Sequence, residues 1–553
     1  MPPTWIRSAC ANYTLENAVE CPAMSRKRLP ADERPPPFRP RIPLFVFALM
    51  LLVSLACVRQ AVRYGATVGG RVTPVNSDSD RLSRPTPGTY MPWGERELVY
   101  GTVAVVGTPT PDATRPAQAR PVQQIHVVQR GDTLSAISRV HHVSVAALKQ
   151  ANELGPSNTI SIGQNLSIPE YYLPVGPAHK LIPDSELVYG PGQVGFDLEG
   201  AVNEWGGYLS TISEIDRFGN TRSGAEIVFA VAQFYSVNPR LLLVVLEQRT
   251  GWVLSSSSGE VSKTHPFGYF NSGYKGLLRQ LSWAADMLNA GFYGWRDESL
   301  SILDFEDGTQ LGLAPGLNAG TVAVQFYFSQ LHSPEHWRAI VSPGGFDRLY
   351  SDMFGNAFGY AYEPLLPGYL EQPAFAWPWD TQEVWYFTGG PHGGWDTGSA
   401  WAAVDFAPTV GGCQMAPNWV RAAADGQVVR SSDGAVVQDF DGDAEEQTGW
   451  TLLYMHIAES ERVVAGQQLQ AGDLIGHPSC EGSLGFANAT HLHLARRYNG
   501  VWISVDDPGA PLDLDGWVVE SAGREYDGWL VKGDDWLEAW DAPGDINSIP
   551  VSP

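Results

Sequence analysis

Hydrophobic and polar positions divide the chain into stretches of different texture. An apolar run from Ile42 to Ala56 follows the basic Ser25-Arg26-Lys27-Arg28 and a Pro/Arg-rich stretch ending at Arg41. Residues 58–121 have neither helical nor two-residue periodicity and are rich in Pro, Thr, Arg, Gly and Ser, which reads as a flexible tether. In residues 124–169 a strand, Ile125 to Val128, leads into a turn at Arg130-Gly131-Asp132-Thr133-Leu134, where Asp132 or Thr133 can cap a helix. A second short helix starts at Ser144, another candidate cap, and runs through Leu148 towards Asn152. Gly163 to Pro169 then closes the unit as a second strand.

Residues 181–370 read as mainly helical. Ala225 to Tyr235 has apolar residues at helical spacing, Pro239 sits where a helix could begin, and Leu241 to Leu246 is apolar all round, as in a buried helix. Over residues 371–545 the texture becomes Trp-, Gly- and Val-rich with short alternating segments, the pattern of β-strands. The expected architecture is therefore multidomain, which agrees with a length of 553 residues, too long for one hydrophobic core.

The formal net charge of −24 leaves no basic field to attract phosphate backbones and argues against nucleic-acid binding. Residues 1–57 read as an export signal, with Met24 a better start than Met1. The apolar run is shorter than the ~20 residues a spanning helix needs. The small residue before Cys57 resembles a bacterial lipobox, which implies a lipid on Cys57 and a membrane-anchored lipoprotein; the alternative is an uncleaved signal anchor. Either puts the remainder outside the cytoplasm, at the cell envelope. Cys10 and Cys21 precede the apolar run, so only Cys413 and Cys480 remain in the folded part. They are either a disulfide pair or two buried thiols.

Residues 124–169 resemble a LysM domain through "HVVQRGDTLSAIS", "VSVAALKQAN" and "IGQNLSIP". The resemblance implies a βααβ fold that binds N-acetylglucosamine-containing glycan of peptidoglycan, using the loop around Gly131, Asp132 and Thr133. The middle region faintly resembles lysozyme-like transglycosylases, but Arg249 stands where their acidic Glu belongs, and a guanidinium cannot give up the proton that leaving-group departure requires. Glu247 is offset towards the opposite side of that helix. The region reads as a non-catalytic spacer or wall-contacting domain of unknown role.

A catalytic zinc site needs three protein ligands and one open position. His491-Leu492-His493 lies in an alternating segment, where residues two apart share a face. Upstream, His392 sits in a Gly-rich loop and Asp405 ends an apolar stretch, while His456 lies on another predicted strand with Tyr454 on the same face. In this order and with these neighbours, residues 380–505 resemble the lysostaphin-like zinc endopeptidases, and the wide His392-to-Asp405 gap is similar to the β-lytic and staphylolysin branch. The resemblance implies a mostly antiparallel β domain with one Zn²⁺ per chain held by His392, Asp405 and His493. It places His456 and His491 as catalytic residues beside the water that attacks the peptide bond of a peptidoglycan cross-bridge. Tyr454 could assist the oxyanion, or simply pack. Asp439 to Asp443, "DFDGD", could take a hard cation such as calcium, but without a full EF-hand loop it reads first as an acidic turn. His477 has no role in the pattern. The competing function is a non-catalytic peptidoglycan-binding regulator of other hydrolases, a role taken by relatives of similar architecture that have lost metal ligands.

Overall fold

The computed structural model describes residues 124–551, apart from 131, 142, 144, 156–158, 170–173, 217–218, 260 and 483–486. The export segment with Met24 and Cys57, the tether, Gly131 and Ser144 lie outside the described residues. Among the described residues, no helix is long and apolar enough to cross a membrane.

The first unit is strand β1 (Gln124–Val127), helices α1 (Leu134–Val140) and α2 (Val145–Ala151), and strand β2 (Asn165–Ile168). The strands pair antiparallel, with His126 opposite Leu166. Val128, Leu134, Ile137, Leu148, Leu166 and Ile168 close a small core of their own. Of the two candidate caps, Thr133 does the capping: its Oγ1 accepts the Ala136 N–H at 3.1 Å. Asp132 instead braces the turn, accepting the Gln129 N–H at 2.7 Å and lying 2.8 Å from His126 Nε2.

The helical region contains α3 (Leu198–Trp205), α4 (Gly224–Tyr235), α5 (Pro239–Thr250), α6 (Leu277–Arg296), α7 (Ala319–Ser329), α8 (Pro334–Val341) and α9 (Phe346–Phe354). Their starts follow local chemistry. Ser223 and Glu226 form a reciprocal capping box on α4, and Asn238 caps α5 just before Pro239 at the first helical position. Arg249 lies in the last turn of α5, donating to the Phe267 carbonyl at 2.8 Å and lying 2.8 Å from His332 Nε2. Burial, then the Arg249 charge, push His332 down to about 4, so it meets the guanidinium as a neutral acceptor. Glu247, on the same helix, braces the turn that follows it by accepting the Val253 and Leu254 N–H groups.

The C-terminal region is built on an antiparallel sheet containing β7 (Trp385–His392), β8 (Ala403–Pro408), β10 (Gly426–Ser432), β11 (Ala435–Asp439), β12 (Trp450–Met455), β13 (Gln468–Leu469) and β15 (Leu492–Tyr498). The order is β13-β10-β11-β12-β15-β8-β7, with β16 (Val501–Trp502) paired to β15; β9 (Val420–Arg421) pairs with β14 (Leu474–Gly476), and the helical region carries the short pairs β3 (Ser213–Ile215) with β4 (Thr221–Ser223) and β5 (Ile302–Asp304) with β6 (Gln310–Gly312). A second sheet packs beside it, made of β17 (Asp513–Leu514), β18 (Trp517–Arg524), β19 (Asp527–Lys532) and β20 (Asp535–Glu538).

Both faces of the large sheet are buried, and alternation along each strand sorts its side chains between two cores. Val404, Phe406, Val436, Leu452, Tyr454, Leu492 and Leu494 join Val519, Leu530 and Leu537 of the small sheet. Ala403, Ala435, Val437, Leu453, Met455 and Ala495 join the helical core. The helical region is thus not a free-standing spacer but a layer laid on the sheet. Buried charges stitch this junction. Glu446 lies 2.8 Å from Arg430 Nε and 3.8 Å from Arg497, Arg430 sits over the Phe234 ring at 4.9 Å, and Arg497 sits over Trp502 at 5.0 Å. Removing one partner of a buried ionic group typically costs about 3–5 kcal/mol. Glu446→Ala should therefore lower the free energy of unfolding in urea by that order, followed by tryptophan fluorescence; a loss below ~1 kcal/mol, the level of an exposed pair, would mean that the junction does not depend on this charge.

Candidate metal and catalytic site

Strand register brings the site together. His493 on β15 pairs directly with Asp405 on β8, and His392 at the end of β7 pairs with Ala403. His392 therefore belongs to a strand end rather than to a loop. On the other side of β15, His493 is opposite Met455, so His456, the next residue, arrives at the same corner. By alternation, Asp405 and His493 project from the sheet face that carries Ala403 and Ala495, the face covered by the helices. Gly389 makes room: a Cβ there would stand 2.6 Å from Asp405 Oδ2.

The facing atoms are His392 Nε2, His493 Nδ1 and Asp405 Oδ1. The two nitrogens are 3.0 Å apart, and each lies close to the oxygen, at 3.3 Å for His392 and 3.2 Å for His493. The second nitrogen of each ring fixes its tautomer. His392 Nδ1 donates to the Gly390 carbonyl at 2.8 Å and His493 Nε2 donates to the Gly394 carbonyl at 3.1 Å. A carbonyl only accepts, so in the neutral rings these nitrogens carry the hydrogens, and the facing nitrogens present lone pairs. Asp405 Oδ1 is buried and receives no hydrogen bond from the described residues. Three lone pairs thus converge on one point, an arrangement suited to a cation. Tetrahedral zinc with bonds of about 2.0–2.1 Å has donor–donor edges of about 3.3–3.4 Å, close to this triangle. The three residues form a possible metal site.

His456 and His491 flank the triangle with ring centroids 4.6 Å apart, and His491 Nε2 lies 3.5 Å from Asp405 Oδ1. Each donates from Nδ1 to a carbonyl at 2.9 Å, His456 to Glu481 and His491 to Ala489, which leaves Nε2 of each as an acceptor. Burial, then the neighbouring His491 and His493, push His456 down to about 3, and burial lowers His493 as well. Burial alone would raise Asp405, but His392 and then His491 hold it well below the ordinary carboxylate range. For His392 the same balance holds with the opposite sign: burial opposes protonation, and the Asp405 charge overrides it and raises the group.

His456 has a left-handed backbone, φ 68°, unusual for a residue with a side chain. That turn breaks the alternation on which a shared face with Tyr454 depended. Tyr454 instead points into the core, where its hydroxyl donates to Gln438 Oε1 at 2.9 Å and accepts the Ala423 N–H at 2.8 Å. It takes no part in the site. His477 is structural, with its ring 4.0 Å from Trp419 and its Nδ1 bonded to the Asn418 carbonyl at 2.8 Å. At Asp439 to Asp443, Asp439 accepts the Gly442 and Ala444 N–H groups and Asp443 accepts that of Glu445, as in an acidic turn.

Sequence reasoning missed Tyr526, which stacks on His392 at 4.3 Å from the tip of the β18–β19 hairpin. Its carbonyl accepts the Gly390 N–H at 3.0 Å and its N–H donates to Pro391 at 2.9 Å. Nothing in "GREYDG" distinguishes it from an ordinary turn tyrosine. It lines a cleft of about 810 Å³ with Glu525, Thr397, Met455, Asn488 and the site histidines.

Three family profiles match the chain: "LasA, N-terminal domain" over residues 180–364, "LysM domain" over 126–169 and "Peptidase family M23" over 400–505. The chain carries an M23 peptidase domain. It also carries a LysM domain, and its helical region is similar to the LasA N-terminal domain. None of the curated proteins gives a significant match. Among solved structures, the M23 domain's neighbours include a deep-sea M23 metalloprotease, pseudoalterin, at 22% identity over 31% of this chain and 96% of that one, with a TM-score of 0.26. The lysostaphin catalytic domain from Staphylococcus simulans is 23% identical over 22% of this chain and 88% of its own, TM-score 0.16. A zinc-containing peptidase from Vibrio cholerae is 21% identical over 26% and 41%, TM-score 0.19.

Within the M23 domain, Cys413 and Cys480 are joined as a disulfide with Cα atoms 5.5 Å apart. The bond anchors the segment whose next residue, Glu481, fixes His456. Loss of such a bond typically costs about 2–4 kcal/mol. The Cys413→Ser, Cys480→Ser double variant should unfold at correspondingly lower urea; an unchanged midpoint would show that hydrogen bonds alone hold the segment.

Proposed function

We propose that the protein is a zinc metalloendopeptidase that hydrolyses peptide bonds of peptidoglycan cross-bridges, brought to the wall by glycan binding at its LysM module and held at the membrane by lipid on Cys57. The observation that carries the catalytic part is the convergence of three lone pairs at His392, Asp405 and His493. Those residues hold one Zn²⁺. Once bound, zinc supplies Lewis acidity and makes a water nucleophilic near neutral pH. His456 and His491 would then act at Nε2, where each has an acceptor left by its Nδ1 bond: the one that takes the proton of the attacking water passes it on to the departing amine, and the other accepts a hydrogen bond from that water. The Asp405 carboxylate keeps the metal corner anionic, and the rigid strand register keeps all five groups within reach of one scissile bond.

In the LysM module, Asp132 and Thr133 spend their side chains on the turn and the cap, so glycan contacts from these two residues come chiefly from their backbone. The middle domain has no part in glycan cleavage, because Arg249 cannot serve as an acid.

The test is digestion of defined cross-linked wall fragments by the wild type, His493→Ala and His456→Ala, with zinc measured by elemental analysis and new termini identified by mass spectrometry. His493→Ala should lose zinc and cleavage together. His456→Ala should keep zinc and lose about 10²–10⁴-fold in rate. Deleting residues 124–169 should slow digestion of whole walls and leave soluble fragments unaffected. A zinc-loaded wild type that produces no new termini would instead favour the non-catalytic regulator.

A further inference from the structure

We infer that Asp286, on helix α6 of the middle domain, is a positioning residue for the metal centre: it holds segment 394–398 in place and, through the Gly394 carbonyl, sets the ring of His493. The inference rests on the reading of His493 as a metal ligand. Asp286 is buried on the helix face it shares with Ser282, Asn289 and Tyr293, the face turned towards the neighbouring domain. Its carboxylate reaches across to the M23 domain, where Oδ1 accepts the Gly398 N–H at 2.7 Å and Oδ2 accepts the Thr397 hydroxyl at 3.2 Å. The approach is too close for any side chain at 398, since a Cβ there would stand 2.0 Å from the Asp286 carbonyl oxygen.

Helix α4 grips the same segment. The Tyr235 hydroxyl donates to Asp396 Oδ2 at 2.9 Å, and Trp395 stacks on Phe234 with centroids 4.6 Å apart. Asp396 is held at φ 56°, a backbone conformation that persists only where surroundings enforce it. The gripped segment begins at Gly394, whose carbonyl receives the His493 Nε2 hydrogen at 3.1 Å. That bond fixes which nitrogen of His493 faces the metal corner, and outer partners of this kind set ligand orientation and affinity. Asp286 therefore acts on the metal centre from a different domain, through a backbone segment rather than by contact with substrate.

The experiment uses the full chain with Asp286→Ala, Asp286→Asn and Tyr235→Phe. Zinc affinity is measured by competition with a chromophoric chelator, and amide exchange is followed over residues 393–400. Asp286→Ala should weaken zinc about tenfold, the low end of the range for outer partners, and speed exchange at 394–398. Asp286→Asn keeps a carbonyl oxygen for the Gly398 N–H and should recover most of both effects. Tyr235→Phe removes a single hydroxyl without opening the helix, so it should fold even where Asp286→Ala does not, and should weaken zinc by a smaller but measurable factor. Unchanged affinity in every variant that folds, or faster exchange without weaker zinc, would overturn the positioning claim alone. A wild type that binds no zinc would overturn the metal reading and this inference with it.

Discussion

A buried carboxylate oxygen with no hydrogen-bond donor is costly, because burial strips water from a charge and nothing replaces it. Asp405 Oδ1 is such an atom, and it faces two imidazole nitrogens whose hydrogens are committed elsewhere. Without a cation, the Asp405 charge favours a proton on His392, against the burial that opposes it. With one, all three lone pairs are satisfied at once. The surrounding structure serves that constraint. Cross-strand register sets His493 against Asp405, Gly389 clears space for the carboxylate, and two backbone carbonyls orient the rings.

The same constraint explains the two-sided burial of the sheet. A metal corner on the helix-covered face needs that face closed and its edge fixed, and the helical layer does both. Its core is continuous with the sheet's, and its residues Phe234, Tyr235 and Asp286 hold the segment between His392 and Asp405. The wide interval between these two residues is thereby given a structural purpose: it is the piece of chain that the helices grasp.

Much of the site was legible in the sequence because strand alternation and family pattern both operate on near neighbours. His491 and His493 two apart, Asp405 closing an apolar stretch and the LysM strands and helices needed only local rules. What depended on distant contacts was not legible. Tyr454 was placed with His456 by alternation, which failed because the left-handed turn at His456 ends the strand one residue too early. The helical domain read as a spacer because its apolar faces resemble any buried helix, and no local signal says what lies against them. Tyr526 and Asp286 reach the site from hairpin and helix positions whose neighbours are fixed only by packing.

The central claim is a single zinc ion at the centre of the His392, Asp405 and His493 triangle. Crystals grown with zinc, with diffraction recorded on either side of the zinc absorption edge, test it most directly. One strong anomalous peak is expected about 2.0–2.2 Å from His392 Nε2, His493 Nδ1 and Asp405 Oδ1. A peak confined to Asp439 to Asp443, or none at the triangle with zinc present in excess, would contradict it.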